Sequence, residues 1–106
     1  MARHLSEGRA TRWNKGELIL TTYRSDADFV SAVVRELRSA RERFPEPDGV
    51  MTALVEEVGE VARALLDESR ACVFAEAVQV AAMACRVAVE GDPTLNDRRA
   101  LRGLEL

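Results

Sequence analysis

Apolar residues recur at helical intervals along most of this chain. Val30, Val33, Val34, Leu37, Ala40 and Phe44 follow one another at mainly three- and four-residue spacing, which places them on one face of a helix. Ser25 or Asp26 can cap that helix, and Pro45 and Pro47 end it near Phe44. Arg35, Arg38, Glu42 and Arg43 fill much of the rest, so the pattern predicts an amphipathic surface helix. A second helix is predicted over about 50–67, after the turn Pro47-Asp48-Gly49. At roughly 100° per residue, Met51, Leu54, Val58, Val61, Ala62 and Leu65 form one apolar face, with Glu56, Glu57 and Glu60 opposite. A connector at 69–71 leads to a third helix over about 72–90, which Gly91-Asp92-Pro93 stops.

The third helix is apolar nearly all round. Ala77, Val78, Val80, Ala81, Ala82, Met83, Ala84, Cys85, Val87, Ala88 and Val89 leave only a narrow stripe of Glu76, Gln79, Arg86 and Glu90. Such a helix belongs at the centre of its assembly. One chain supplies only two other good helices, so the expected fold is an all-α helical bundle completed by oligomerisation, at least a homodimer.

The ends are different. Residues 1–16 are polar, basic and without periodicity, and 17–23 (Glu-Leu-Ile-Leu-Thr-Thr-Tyr) is the one stretch with β character. Asn14-Lys15-Gly16 could turn a small hairpin. Residues 94–106 read as a short last helix at 95–101 or a tail. The organisation expected is therefore a basic arm or hairpin at 1–24, a helical core at 25–93 and a C-terminal tail or short helix at 94–106.

Composition sharpens this outline. With 106 residues the chain has room for one domain. A hydrophobic fraction of 47% excludes a disordered chain. The net charge of −3 hides an asymmetry: residues 1–24 carry five basic and two acidic groups, whereas 46–76 carry eight acidic and two basic ones. A globally basic nucleic-acid binder is disfavoured. Cys72 and Cys85 do not form a disulfide framework, because on one helix they would lie roughly 20 Å apart. The start of the chain has no apolar run resembling a signal peptide. The stretch 77–89 is interrupted by Gln79 and Arg86 and is too short to span a bilayer. A soluble cytoplasmic protein with free thiols is expected, with no membrane partner.

Other chemistry is sparse. His4 is the single histidine, which argues against a zinc site or a histidine triad. No glycine-rich phosphate loop is present. Gly59 costs its helix about 1 kcal/mol relative to alanine, and close helix packing is its expected use. Trp13, Tyr23 and Phe44 could stack on a base, although aromatic residues more often fill core gaps.

The carboxylates remain. Glu56, Glu57 and Glu60 lie within one helical turn and repel one another, with Arg63 placed to offset part of the charge. The simplest reading is a solvated acidic face. Glu76 and Gln79, three residues apart on an apolar helix, are either part of a solvated stripe or need buried partners. If the second and third helices are antiparallel, Glu57 and Glu60 can oppose Glu76 and Gln79, an oxygen-rich set suited to a hard divalent cation.

At these residues the chain resembles a known family. Leu54-Val55-Glu56-Glu57-Val58-Gly59-Glu60-Val61-Ala62, followed by Glu76-Ala77-Val78-Gln79-Val80-Ala81, is similar to the MazG-like all-α nucleoside triphosphate pyrophosphohydrolases. Fifteen residues separate Glu60 from Glu76, in keeping with that family's short spacing, and the resemblance covers roughly residues 29–90. It implies a helical homodimer or homotetramer that uses Mg²⁺ (or Mn²⁺) to cleave a nucleoside triphosphate to monophosphate and pyrophosphate. It implies that Glu57, Glu60 and Glu76 hold metal, and that Glu56 is a further ligand or orients the attacking water. Gln79 stands where the family has aspartate, a neutral ligand that cannot act as a base. The alternative is a non-catalytic oligomer acting as a nucleotide-sensing or protein-interaction module.

Overall fold

The computed structural model describes residues 25–106, and among these all regular structure is helical. The hairpin expected before residue 24 lies outside the described residues. Helix α1 spans Asp26–Arg43, α2 Val50–Asp67 and α3 Arg70–Glu90; a 3₁₀ turn at Pro93–Leu95 leads into the short α4, Asn96–Leu101.

Each boundary has a local cause. Ser25 Oγ accepts from the Asp28 N–H at 3.0 Å while Asp28 Oδ2 accepts from the Ser25 N–H at 3.0 Å, a reciprocal cap that starts α1. Ser69 Oγ accepts from the Cys72 N–H at 3.3 Å, so α3 begins at Arg70, two residues earlier than its hydrophobic run suggests. Its C-terminus turns at Gly91, whose φ of +71° is a left-handed value that favours glycine. Gly49, with φ +80°, opens α2 but has no side chain to cap it.

Helix α3 is central, with both α1 and α2 packed against it. Ala40, Ala82 and Met83 form the middle of the core, backed by Val33, Leu37, Ala53 and Leu54. Phe29 and Phe74 meet edge to face, 5.6 Å between ring centres. The most deeply buried apolar side chains are small: Ala40, Ala64, Ala75 and Ala82 are at most 1% exposed. Small residues let helix axes approach closely, so α-helices with alanine at their contacts can pack tightly.

This packing corrects two expectations and decides one alternative left open. The Met51/Val58/Leu65 side of α2 does not face the core; Val50, Ala53, Leu54, Glu57 and Ala64 do more of that work, a rotation of about a quarter turn at 100° per residue. Burying alanines rather than larger apolar groups explains the rotation. The polar stripe of α3 is not solvated, since Glu76, Gln79 and Arg86 are all buried. Among the described residues Gly59 is not used for close packing, because a Cβ placed there would meet nothing within 4 Å. Helix α3, at 21 residues, is also long and apolar enough to cross a bilayer by length and composition, although here it is the core helix and carries buried charge.

Candidate functional site

A cleft of about 680 Å³ opens where the C-terminal half of α1 and the N-terminal half of α2 separate over α3. Glu36, Ala40 and Arg43 line it from α1; Val50, Ala53 and Glu57 line it from α2; Gln79, Met83 and Arg86 form its floor. The connecting segment 44–49 supplies the rim. The apolar part of the wall comes from Val50, Met83 and the alanines, with Phe44 and Pro45 at the rim.

Arg86 is the most constrained group in the floor. Only 1% exposed, it donates from one terminal nitrogen to the Phe44 carbonyl at 2.8 Å. Nε and the other terminal nitrogen donate to Glu90 Oε1 at 3.1 and 2.8 Å. Glu90 Oε2 in turn accepts from Arg41 Nε at 2.7 Å. The hydrogen bonds from Arg86, and then those from Arg41, hold the Glu90 carboxyl below its ordinary range against the opposing effect of burial. A lone arginine in an apolar helix requires such partners. That requirement is the sequence signal that could have placed Arg86 at a buried contact rather than in a solvated stripe.

Gln79 behaves differently. It is 8% exposed and lines the cleft, yet its carboxamide makes no hydrogen bond among the described residues. Glu57, half-buried on α2, lines the same cleft. At the rim, Arg43 donates to Glu36 Oε2 at 2.8 Å and its guanidinium sits 5.5 Å from the centre of the Phe44 ring. Glu36 and Arg43 were not legible as site residues, because nothing in their local spacing distinguishes them from other charges on α1.

The remaining carboxylates are arranged around α2 rather than gathered in the cleft. Glu56, Glu57, Glu60, Gly59 and Arg63 line a shallower outer depression. Glu56 is exposed, and Glu60 accepts from Arg63 at 2.8 Å. Glu76 is fully buried on α3, one turn before Gln79, and is not among the cleft-lining residues. Glu57 therefore belongs to both depressions, and the cleft brings it together with Gln79.

Among the described residues no group of three or more His, Cys, Asp or Glu side chains is placed to hold a metal ion. Mg²⁺ is commonly bound through only one or two protein carboxylates, with substrate phosphates and water completing its shell.

No protein-family model matches the chain, and no curated protein or solved structure shows significant similarity to it.

Proposed function

We propose that the cleft binds a nucleoside triphosphate with its divalent cation, and that the protein is a cytoplasmic MazG-like pyrophosphohydrolase releasing monophosphate and pyrophosphate. The observation that carries this reading is that Gln79 and Glu57, from neighbouring helices, line one cleft. A carboxamide lining an open cleft is available to an incoming ligand or its cation. The glutamate pattern of α2 supports the same assignment through its resemblance to the family.

Under this reading Glu57 and Gln79 would hold Mg²⁺ or Mn²⁺ from the cleft side. The resemblance also assigns Glu56, Glu60 and Glu76 to the site, but these line the outer depression or lie buried away from the cleft. The metal supplies charge neutralisation at the phosphates. The protein supplies positioning and an apolar surface from Met83 on the floor and Ala53 on the α2 wall.

The test is pyrophosphate release from a panel of canonical and modified nucleoside and deoxynucleoside triphosphates with Mg²⁺ or Mn²⁺, alongside calorimetric binding of the same nucleotides. Turnover supports the reading, and absence of binding for every nucleotide overturns it. A second reading, a nucleotide-sensing member without turnover, is favoured by one feature: neutral Gln79 occupies the position of the family's aspartate. Binding without turnover selects that alternative, and activity gained in Gln79→Asp would mark the site as degenerate.

A further inference from the structure

Helices α1 and α2 pack on α3 rather than on each other, so a slot runs between them with α3 as its floor. Helices α1 and α3 are parallel, because Phe29 meets Phe74 at one end and Arg41 meets Glu90 at the other. Helix α2 runs the opposite way, its start held by Asp92 and its end joined directly to the start of α3. The cleft occupies only the half of the slot near Arg86. The faces that line it continue into the other half. Ala53 and Glu57 are followed on the same side of α2 by Ala64 and Glu68, at intervals of four, seven and four residues. Gln79, Met83 and Arg86 are preceded on the same side of α3 by Glu76, Ala75 and Cys72, which are 0, 1 and 7% exposed. This half therefore has a floor of small side chains with one buried carboxylate set in it.

We propose that residues 18–23 of the same chain occupy this half of the slot as an extended strap running from Ser25 towards the cleft. The chain enters the described fold at Ser25, the cap of α1, at the open end of this half. Residues 18–23 extend over about 20 Å, enough to pass from the start of α1 to the level of Glu57, about 15 Å back from the end of α2. Their side chains suit the place. Leu18, Ile19 and Leu20 supply apolar bulk for a floor of small residues. Charge agrees: residues 1–24 carry five basic and two acidic groups. Glu57, Glu68 and Glu76 each turn a carboxylate oxygen away from water, an arrangement that calls for cationic or donor groups beside it. Successive side chains of an extended segment alternate, so Leu18, Leu20 and Thr22 face the floor together, with Thr22 nearest Cys72. The strap forms the inner end of the cleft and carries Lys15 to its edge, whatever ligand the cleft takes.

Thiol chemistry on the full chain tests this, because Cys72 lies under the strap and Cys85 on another side of α3. Leu20→Asp should lift the strap and raise the rate of Cys72 modification by a maleimide at least about tenfold, with Cys85 changed by less than about twofold and helical circular dichroism retained. Leu20→Ala, a milder change, should move the Cys72 rate in the same direction. A Cys72 rate unchanged in both variants would overturn the proposal. Thr22→Cys, with the rest of the chain intact, should form a disulfide with Cys72 of its own chain under mild oxidation. Absence of that disulfide would equally overturn the strap, and a bond formed only between two chains would overturn docking onto the same chain.

Discussion

Asp92 caps a helix that begins 42 residues before it: its Oδ2 accepts from the backbone N–H of Met51 at 2.9 Å. Oδ1 accepts from the Gly49 N–H at 3.0 Å and from Thr94 Oγ1 at 2.6 Å. Helix α2 starts at a glycine and has no acidic residue in its first turn. The negative charge that a helix N-terminus favours therefore comes from the turn after α3. The Thr94 hydroxyl and the backbone N–H groups together hold the Asp92 carboxyl well below its ordinary range.

The sign of the resulting pH dependence follows from that depression. An unfolded aspartate titrates near 3.9, so the stabilisation by Asp92 is complete above that pH and is lost as pH falls towards its lower folded value. Asp92→Asn should lower the thermal midpoint at neutral pH by about 5 °C. The melting curves of variant and wild type should converge on acidification below about pH 3. A constant gap across that range would show that the carboxylate's charge contributes nothing.

Arg86 should be the most sensitive polar position in the core. Arg86→Ala strands the Phe44 carbonyl and leaves Glu90 with Arg41 alone, at an expected cost of about 3 kcal/mol. Arg86→Lys keeps a charge but cannot reach the carbonyl and the carboxylate in the same fork, so an intermediate loss is expected. Urea unfolding monitored by circular dichroism measures both.

Overpacking should be as damaging as truncation at the helix contacts. Ala82 is 0% exposed, and Ala82→Leu would force α3 away from its neighbours at a cost of about 1–3 kcal/mol. Ala84→Leu, on the exposed side of the same helix, should change stability by less than about 0.5 kcal/mol. The difference between the two unfolding free energies checks the orientation of α3.

Nucleotide binding should divide the glutamates of α2. Glu57→Ala and Gln79→Ala, both in the cleft, should weaken Mg²⁺–nucleotide affinity by about tenfold or more, equivalent to roughly 1.4 kcal/mol. Glu56→Ala should leave affinity within about twofold and act on turnover instead. Calorimetry and pyrophosphate release measure the two effects separately, and an affinity loss for Glu56→Ala equal to that for Glu57→Ala would sink the assignment of roles.

The periodicity of the sequence was a good guide to where helices lie and a poor guide to which way they turn. Ser25, Pro45, Gly49 and Gly91 act on their own neighbours, so the ends of α1, α2 and α3 could be read locally. Orientation is decided elsewhere. The apolar face of α2 predicts burial for Val58 and Leu65, but alanine contacts permit closer packing and bury Ala64 instead. The shared place of Glu57 and Gln79 was half legible: the spacing along α2 and α3 pointed to both residues, while the cleft that both line depends on the separation of α1 from α2. Arg86, Glu36 and the capping role of Asp92 depend on contacts between distant segments, which no window of sequence contains.

The segment 44–49 is tied down at both ends from one place. Arg86 holds the Phe44 carbonyl, and Asp92 holds the Gly49 N–H. These anchors are six residues apart, at the last turn of α3 and just beyond it. The rim of the cleft and the end of α3 therefore form one cooperative opening unit. Amide hydrogens at the start of α2 and in the final turn of α3 should exchange with a shared opening free energy, below that of the core around Ala82. Fraying at the end of α3 would release the mouth of the cleft without unfolding the helices that build its floor.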